Sequence, residues 1–233
     1  MRLRPWLPGF LPIVVAACGP LVHVDVPAPE PAPAVAAPAL APAPRPSPPS
    51  MDLACFAHPD IDIWERRLRF ERPLWADTVH ALSRGAVYLP HLRDVFNAGG
   101  LPSSLALLPA IESGFGTHAR SASGSRGLWQ FKAATARRFG LVVSRRRDDR
   151  LEPDLATRAA VRYLTLLHAH YGDWPLALAA YNVGEGRVDR ARRRDPGASF
   201  WELTDDRRLP RASRDYVARF LALVRVVDGA ADC

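Results

Sequence analysis

One acidic residue, Glu112, lies in a segment whose other residues are almost all apolar or small. Within Ser103 to Ser113, Leu105, Leu108 and Glu112 recur at spacings of three and four, and other apolar residues occupy a second face. A helix that is apolar on nearly every side is a buried helix. Burial disfavours the charged carboxylate, so the pattern predicts a raised pKa for the Glu112 carboxyl group.

A glutamic acid that keeps its proton near neutral pH can protonate the leaving oxygen of a glycosidic bond. Glu112 is therefore a candidate general acid of a glycosidase. It also stands at a predicted helix end, just before Gly114, where a capping or surface glutamate is the commoner case. The helix alone leaves both interpretations open.

The elements that must position Glu112 are helical, and residues 52 to 229 show no convincing alternating strand. Two long segments carry an apolar face at spacings of three and four: Ala160, Leu164, Leu167 and Tyr171 in Pro153 to Tyr171, and Val217, Phe220, Leu221 and Val224 in Ala212 to Val227. Glycines stand where helices should stop, and prolines stand near helix starts: Gly140, Gly172, Gly184 and Gly229, and Pro153 and Pro175. The pattern predicts a compact all-α domain of about eight short helices without an internal repeat.

Four motifs follow one another in a family's order. They are the run from Leu101 to Phe115 that contains Glu112-Ser113, then Gly127-Leu128-Trp129-Gln130-Phe131, Ala179-Ala180-Tyr181-Asn182, and Leu209-Pro210 with Tyr216-Val217. Together they resemble the membrane-bound lytic transglycosylases with a soluble-transglycosylase (goose-lysozyme-like) domain, and are similar to the D-type enzymes. The resemblance covers residues 85 to 225, so it spans the whole predicted domain.

This resemblance implies a lysozyme-like fold and cleavage of the MurNAc–GlcNAc β-1,4 bond of peptidoglycan without water, which leaves 1,6-anhydro-MurNAc ends. Glu112 matches the family's sole catalytic residue, which acts first as an acid and then as a base. The residues that match substrate-binding positions are Ser113, Ser121, Ser123, Gln130, Tyr181, Asn182 and Tyr216. No cofactor and no metal ion is implied.

Several of these residues also have a purely structural interpretation. Trp129 and Phe131 are expected in the core, where aromatic residues usually pack, and core packing is also an alternative for Tyr181. Helix capping is the alternative for Ser123 and Ser125.

The chain departs from the family pattern at three places. Ala212-Ser213 stands where Glu-Thr is usual, so a structural carboxylate contact is expected to be missing. Gly116 stands in place of a common asparagine, and Ser125 in place of a usual alanine. The LysM repeats that often follow this domain are not expected, because no such segment precedes Cys233.

The N-terminal segment is typical of an export signal. A basic start and a short apolar stretch precede Val15-Ala16-Ala17-Cys18, which resembles a bacterial lipobox. Residues 1–17 are predicted to be a lipoprotein signal peptide and Cys18 a lipidated residue; the alternative is an ordinary secretory signal. Gly19 follows where an aspartate would retain the protein in the inner membrane, which favours an outer-membrane anchor facing the periplasm.

Residues 18–51 are predicted to be an anchored linker, and residues 52–233 the folded domain. Ten of the chain's 23 prolines lie between Pro27 and Pro49, with alanine filling most of the rest. Such a stretch forms an extended spacer on the order of 100 Å long. Cys55 and Cys233 bracket the domain, and the sequence leaves open whether they are bridged or free.

The formal charge is +7, and only one of the 31 Lys and Arg residues, Lys132, is a lysine. The arginines are scattered and their densest runs are short, Arg145 to Arg147 and Arg192 to Arg194. We interpret these runs as solvated surface and expect no nucleic-acid partner. A G-x-S-x-G motif is absent, and His168 and His170 face opposite sides of a helix, so they form a poor metal pair.

Two other functions are compatible with the same fold. A lysozyme-type hydrolase would need a second acid to orient water, for which Asp148 and Asp149 are the sequence candidates. A catalytically silent peptidoglycan-binding lipoprotein is the alternative of another class, although such a binder has little reason to retain a buried acid.

Overall fold

The computed structural model describes residues 52–229, which form ten α-helices and three 3-10 turns, with three isolated β-bridges and no strand. The α-helices are α1 (Pro59–Phe70), α2 (Arg72–Gly85), α3 (Leu89–Ala98), α4 (Leu108–Glu112), α5 (Ala133–Arg138), α6 (Pro153–Tyr171), α7 (Trp174–Val183), α8 (Glu185–Arg192), α9 (Phe200–Asp205) and α10 (Arg211–Asp228). The 3-10 turns are Leu53–Cys55, Ser103–Leu107 and Asp149–Leu151. The all-α prediction is confirmed, with ten helices rather than about eight.

Proline and glycine mark the helix ends as the sequence predicts. Pro153 and Pro175 lie in the first turns of α6 and α7, where a missing backbone N–H breaks no helical bond. Gly172 ends α6 with a φ of 68°, in the left-handed region that glycine adopts without strain. Gly184 and Gly229 end α7 and α10 with positive φ values of 90° and 80°, but with extended ψ values of 142° and 170°.

The core is built around α7, whose residues from Trp174 to Ala180 are all buried. Helices α6 and α10 pack against α7, and their predicted apolar faces are buried. Helix α10 also packs along α1. A helix that is apolar all round must lie inside, which places α7 at the centre of the domain.

The predicted helix from Ser103 to Ser113 is two shorter pieces, a 3-10 turn (Ser103–Leu107) followed by α4. Pro109 explains the division, because it has no N–H to donate to Leu105 and its ring disfavours a preceding α-helical turn. Residues 104 to 110 are nevertheless buried, as the sequence predicts.

Several predictions concern residues outside 52–229: the signal peptide, the Pro/Ala-rich linker, lipidation of Cys18, and the pairing of Cys55 with Cys233. These stay predictions. Among the described helices, none combines the length and the apolar character that a membrane-crossing segment requires.

Candidate active site

Glu112 is the last residue of α4 and faces a cleft of about 420 Å³. The cleft is lined by the loop that carries the Gly127–Phe131 motif and by the end of α7. The cleft therefore brings together three of the four sequence motifs.

The turn after Glu112 is fixed from two sides. Gly114 and Phe115 both have positive φ values, 57° and 59°, which reverse the chain directly after the acid. Arg84 of α2 donates a hydrogen bond from Nε to the Gly114 carbonyl oxygen at 2.8 Å. The Phe115 ring lies so close to Gly85 that a Cβ atom there would be 2.5 Å from it. Helix α2 thus clamps the turn that holds Glu112 in place.

The Glu112 carboxyl group is a weak acid in this position. Glu112 is half-buried and lines the cleft. Burial raises the pKa of Glu112 from 4.5 to about 7, and this effect exceeds the lowering of the pKa by a hydrogen bond from Tyr216. No cation opposes the effect, because no salt bridge to Glu112 is present among residues 52–229. The raised pKa expected from the sequence is therefore found.

Two tyrosines, Tyr216 and Tyr181, lie close to Glu112. The Tyr216 hydroxyl on α10 donates to Glu112 Oε1 at 2.6 Å. The Tyr181 hydroxyl on α7 donates to the Trp129 carbonyl oxygen at 2.8 Å. Burial, and to a smaller extent the nearby Glu112, raises the pKa of the Tyr181 phenol. Tyr181 therefore both packs in the interior and lines the cleft, so its two interpretations are compatible.

Contacts with Thr157 of α6 and with Arg150 hold the Gly127–Phe131 loop against the rest of the domain. Trp129 is 1% exposed, as expected for a core residue, and its Nε1 donates to Thr157 Oγ1 on α6 at 2.9 Å. Gly127 has a φ of 75° and lies against the backbone of Arg150. The buried Arg150 guanidinium donates to the Phe131 carbonyl oxygen at 3.1 Å.

The predicted serines lie in two different places. Ser121 and Ser123 are exposed on the cleft wall, with their hydroxyl oxygens 3.1 Å apart. Helix capping by Ser123 or Ser125 is wrong, because both lie in a loop and the next helix begins only at Ala133. Ser113 instead donates to the Leu128 carbonyl oxygen at 2.8 Å and is not among the cleft-lining residues. Its contact ties the Glu112 turn to the loop.

Gln130 and Asn182 both line the cleft. Gln130 has a φ of 49°, and its amide nitrogen donates to the Gly127 carbonyl oxygen at 2.8 Å. That bond fixes the amide group, and its oxygen makes no hydrogen bond within the part of the chain described. Asn182 is exposed at the junction of α7 and α8.

The cleft-lining residues that were not predicted as site residues include Lys132, Thr135 and Tyr163. Lys132 is the chain's only lysine and directly follows the Gly127–Phe131 motif, so its position in the sequence could have indicated a place at the cleft. Tyr163 lies on the inner face of α6, and its helical spacing alone could not distinguish it from an ordinary core residue.

Glu112 is the only carboxyl residue among the described residues that line the cleft. The two sequence candidates for a second acid are engaged elsewhere. Asp148 accepts hydrogen bonds from Arg150 and Arg126, and Asp149 accepts them from Arg147 and the Val142 backbone. These bonds lower the pKa of both aspartates. Both are therefore loop-stabilising carboxylates.

The segment Ala212-Ser213, where the chain departs from the family pattern, contains an unpartnered polar group. Ser213 is fully buried near the start of α10, and its hydroxyl has no hydrogen-bond partner in the described structure. An unpartnered buried hydroxyl costs stability. It marks the segment where the sequence predicted a missing carboxylate contact.

Metal-ligating residues do not gather anywhere in residues 52–229. His168 stacks on Trp174 with ring centroids 4.1 Å apart, whereas His170 lies 3.3 Å from the Asp189 carboxylate. The two histidines have separate neighbours, which fits the opposite faces expected from the sequence.

Comparison with known proteins places these features in a family. Residues 77–204 match the transglycosylase SLT domain. Over 128 residues the chain is 39% identical to membrane-bound lytic murein transglycosylase D of Escherichia coli, which covers 53% of this chain and 27% of that protein. It is 35% identical over 116 residues to the peptidoglycan transglycosylase gp16 of Escherichia phage T7, covering 49% of this chain and 8% of that protein.

The fold also has a solved counterpart. The 70 kDa soluble lytic transglycosylase SLT70 of Escherichia coli superposes with a TM-score of 0.52 at 23% identity, covering 60% of this chain and 24% of that one. This likeness supports the lysozyme-like helical fold. The chain spans only about a quarter of the length of transglycosylase D and of SLT70.

Proposed function

Because this chain belongs to the transglycosylase SLT domain family, we propose that it is a peptidoglycan lytic transglycosylase. The substrate is the MurNAc–GlcNAc β-1,4 bond of the glycan strand. Glu112 donates its proton to the glycosidic oxygen as the bond to the MurNAc anomeric carbon breaks. The resulting carboxylate then takes the proton of the MurNAc 6-hydroxyl, whose oxygen bonds to the anomeric carbon. The product ends in 1,6-anhydro-MurNAc, and no water is consumed.

One observation carries this proposal: Glu112 is the only carboxyl residue among the described residues that line the cleft, and its pKa is about 7. At that pKa the acid and its conjugate base are both well populated near neutral pH, so one residue can serve in both steps. A hydrolase of the same fold would need a second carboxylate near the cleft to activate water. Asp148 and Asp149 are held by arginines, which disfavours that alternative.

The other cleft residues have supporting roles in this proposal. Tyr216 orients the Glu112 carboxyl group through its hydrogen bond. Ser121, Ser123, Gln130 and Asn182 supply neutral polar groups along the cleft walls, which suit an uncharged sugar and its N-acetyl group. Ser113 is better described as a positioning residue, since its hydroxyl is bonded to the loop backbone.

We further propose that the enzyme works from the bacterial cell envelope. Relatives named as membrane-bound enzymes support this location. The finer prediction is a lipid anchor at Cys18 in the outer membrane, with residues 18–51 as a tether that lets the domain reach the wall.

The test is digestion of purified sacculi by the full chain, followed by mass spectrometry of the released muropeptides. Glu112→Gln is compared with Glu152→Gln, which removes an exposed carboxylate outside the cleft. We expect anhydro products, lighter by one water than reducing-end muropeptides, from the wild type and from Glu152→Gln. We expect at least about a thousandfold slower release from Glu112→Gln.

Products with reducing ends would overturn the transglycosylase assignment in favour of hydrolysis. Sacculus binding without any release would point to a silent binding protein. Equal release by Glu112→Gln and the wild type would exclude Glu112 as the acid.

A further inference from the structure

A second concavity, of about 800 Å³, lies beside α8 and the turn between α9 and α10. Six of its lining residues are arginines: Arg187, Arg190, Arg193, Arg194, Arg207 and Arg208. We call this set the arginine pocket. It shares no lining residue with the Glu112 cleft.

Local structure gathers these arginines from two segments. Arg187 and Arg190 are three residues apart on α8, so they lie on one face of the helix. Arg193 and Arg194 follow directly after the end of that helix. Arg207 and Arg208 come from the turn before α10, where Arg207 has a φ of 57°, a conformation that non-glycine residues seldom adopt.

The charge of the arginine pocket is not neutralised by the protein. Within the described residues none of the six guanidinium groups forms an ion pair, although many other arginines do. The carboxylates next to these arginines in sequence, Asp195 and Asp206, form no ion pair with them in the described structure. Two further carboxylates are engaged elsewhere: Asp189 with His170 and Tyr171, and Asp205 with Arg214. The repulsion among six clustered cations is thus left for an external anion to relieve.

One donor in the arginine pocket is already desolvated. Arg208 Nη2 is buried and has no hydrogen-bond partner in the described structure. A buried guanidinium nitrogen without an acceptor is costly, and an anion seated in the pocket would supply that acceptor.

From these observations we infer that the arginine pocket binds a ligand carrying two or more closely spaced phosphate groups. Each phosphate brings up to two negative charges and three acceptor oxygens, so a few phosphates balance six guanidinium groups where six carboxylates would be needed. Guanidinium groups bind phosphate through paired hydrogen bonds. The other lining residues are Ala191, Leu209 and Pro210, and without an aromatic face the pocket recognises the anion itself rather than a base or a sugar.

This inference is independent of the proposed catalytic function. It also revises the solvated-surface interpretation of Arg192 to Arg194, because two of these three residues line a concavity. The run Arg145 to Arg147 differs, since none of its three residues lines either concavity.

The test is calorimetric titration of the full chain with inorganic tripolyphosphate at about physiological salt, where diffuse surface attraction is screened. The pocket variant is Arg190→Gln with Arg194→Gln. The control is Arg145→Gln with Arg146→Gln, which removes the same charge from another exposed arginine pair. We expect the pocket variant to bind about tenfold or more weakly, and the control to bind within about twofold of the wild type.

Equal weakening in the control would overturn the inference, because it would show attraction by net charge alone. So would the absence of tripolyphosphate binding, or equally tight binding of citrate, which carries carboxylates only. Far-ultraviolet circular dichroism checks that both variants fold; all four substituted arginines are exposed.

Sedimentation with phosphatidylcholine vesicles, with and without cardiolipin, identifies the source of the phosphates. Pocket-dependent binding to cardiolipin vesicles, displaced by tripolyphosphate, supports the inference with a lipid headgroup as ligand. Binding of tripolyphosphate without pocket-dependent vesicle binding supports it with a soluble or polymeric phosphate. Any vesicle affinity of the N-terminal segment is common to the wild type and both variants, so it does not affect the comparison.

Discussion

Two opposing influences act on the proton of Glu112. Burial favours the neutral acid, and the Tyr216 hydroxyl favours the carboxylate by donating a hydrogen bond to it. The first is the larger, so the pKa rises to about 7. This balance keeps a proton available near neutral pH and makes its loss easy once the glycosidic bond has broken.

Tyr216→Phe should change the pH dependence of the reaction. The rate falls as pH rises through about 7 in the wild type, because the first step needs the protonated acid. Removing the hydroxyl leaves the carboxylate less stabilised, so the pKa of Glu112 rises further and the alkaline limb moves to higher pH. The rate at neutral pH drops about tenfold as the carboxyl group loses its orientation. Initial rates of sacculus solubilisation measured across pH give both the position of the alkaline limb and the rate at neutral pH.

Tyr163→Phe is the control for that substitution, since Tyr163 lines the same cleft but has no hydrogen bond to Glu112. The alkaline limb of the pH–rate profile of Tyr163→Phe should lie at the same pH as that of the wild type. A lower rate in Tyr216→Phe with an unmoved limb would contradict the assignment and leave only a packing role.

Glu112→Gln should stabilise the fold in alkaline solution. The folded-state pKa of about 7 lies above the unfolded value of 4.5, so the folded protein holds the proton more tightly. Below pH 4.5 both states are protonated and no cost arises; between pH 4.5 and 7 stability falls; above pH 7 the full cost of burying the charge is present. Glutamine carries no charge to bury, so above pH 7 the free energy of unfolding of Glu112→Gln should exceed that of the wild type by about 3 kcal/mol.

Urea unfolding at acid and alkaline pH measures this difference. The free energy of unfolding of Glu112→Gln minus that of the wild type should grow with pH. A constant difference would contradict a raised pKa in the folded state.

At the scale of elements, the site contains a loop and a turn whose backbone carbonyl groups accept hydrogen bonds from side chains elsewhere in the domain. Arg84 secures the turn after α4, and Arg150 secures the Gly127–Phe131 loop. Ser113 joins the turn to the loop through the Leu128 carbonyl oxygen, and Tyr181 joins α7 to the loop through the Trp129 carbonyl oxygen. The position of Glu112 is therefore set by hydrogen bonds that link the turn and the loop to each other and to the helices around them.

Gly127→Ala should disrupt this arrangement. A Cβ at position 127 would lie 1.8 Å from the Arg150 carbonyl oxygen, and the φ of 75° is unfavourable for alanine. We expect a loss of about 3 kcal/mol or more in the free energy of unfolding, with loss of activity. Thermal and urea unfolding check the stability.

Gly124→Ala is the matched control in the same loop. Gly124 also has a positive φ, 84°, but a Cβ there would meet no atom within 4 Å. Gly124→Ala should lower the free energy of unfolding by only about 1 kcal/mol. Equal losses in the two variants would mean that backbone strain alone, and not the contact with Arg150, is responsible.

At the scale of the whole domain, α10 connects the site to the N-terminal elements. Its first half carries Tyr216, and its last turns carry Arg225. The Arg225 guanidinium donates to the carbonyl oxygens of Ala54 and Phe56 and to Asp62 of α1. One side chain thus holds the beginning of the described chain against its last helix.

Arg225→Gln should loosen this closure. The substitution leaves two backbone carbonyl groups and a carboxylate without their charged donor, at a cost of about 2–3 kcal/mol. Arg158→Gln is the control, because Arg158 forms an exposed pair with Asp154 within α6 and should cost no more than about 0.5 kcal/mol. Urea midpoints compare the two, and similar losses would contradict the closing role.

The sequence alone determined the helical class, the buried faces of α6 and α10, and the burial of the segment that ends in Glu112. Periodicity determines which side of a helix is apolar, and proline and glycine restrict the backbone locally, so these features need no knowledge of distant residues. The family resemblance also identified six of the fourteen described residues that line the cleft: Glu112, Ser121, Ser123, Gln130, Tyr181 and Asn182.

Only the tertiary structure decided which distant groups meet. Tyr216 is 104 positions from Glu112 and still donates to its carboxyl group. Ser113, predicted to bind substrate, is bonded to the Leu128 backbone, and the arginines of α8 meet those before α10 around one concavity. Spacing along the chain fixes neither distances nor hydrogen-bond partners between elements, because these depend on how the helices pack.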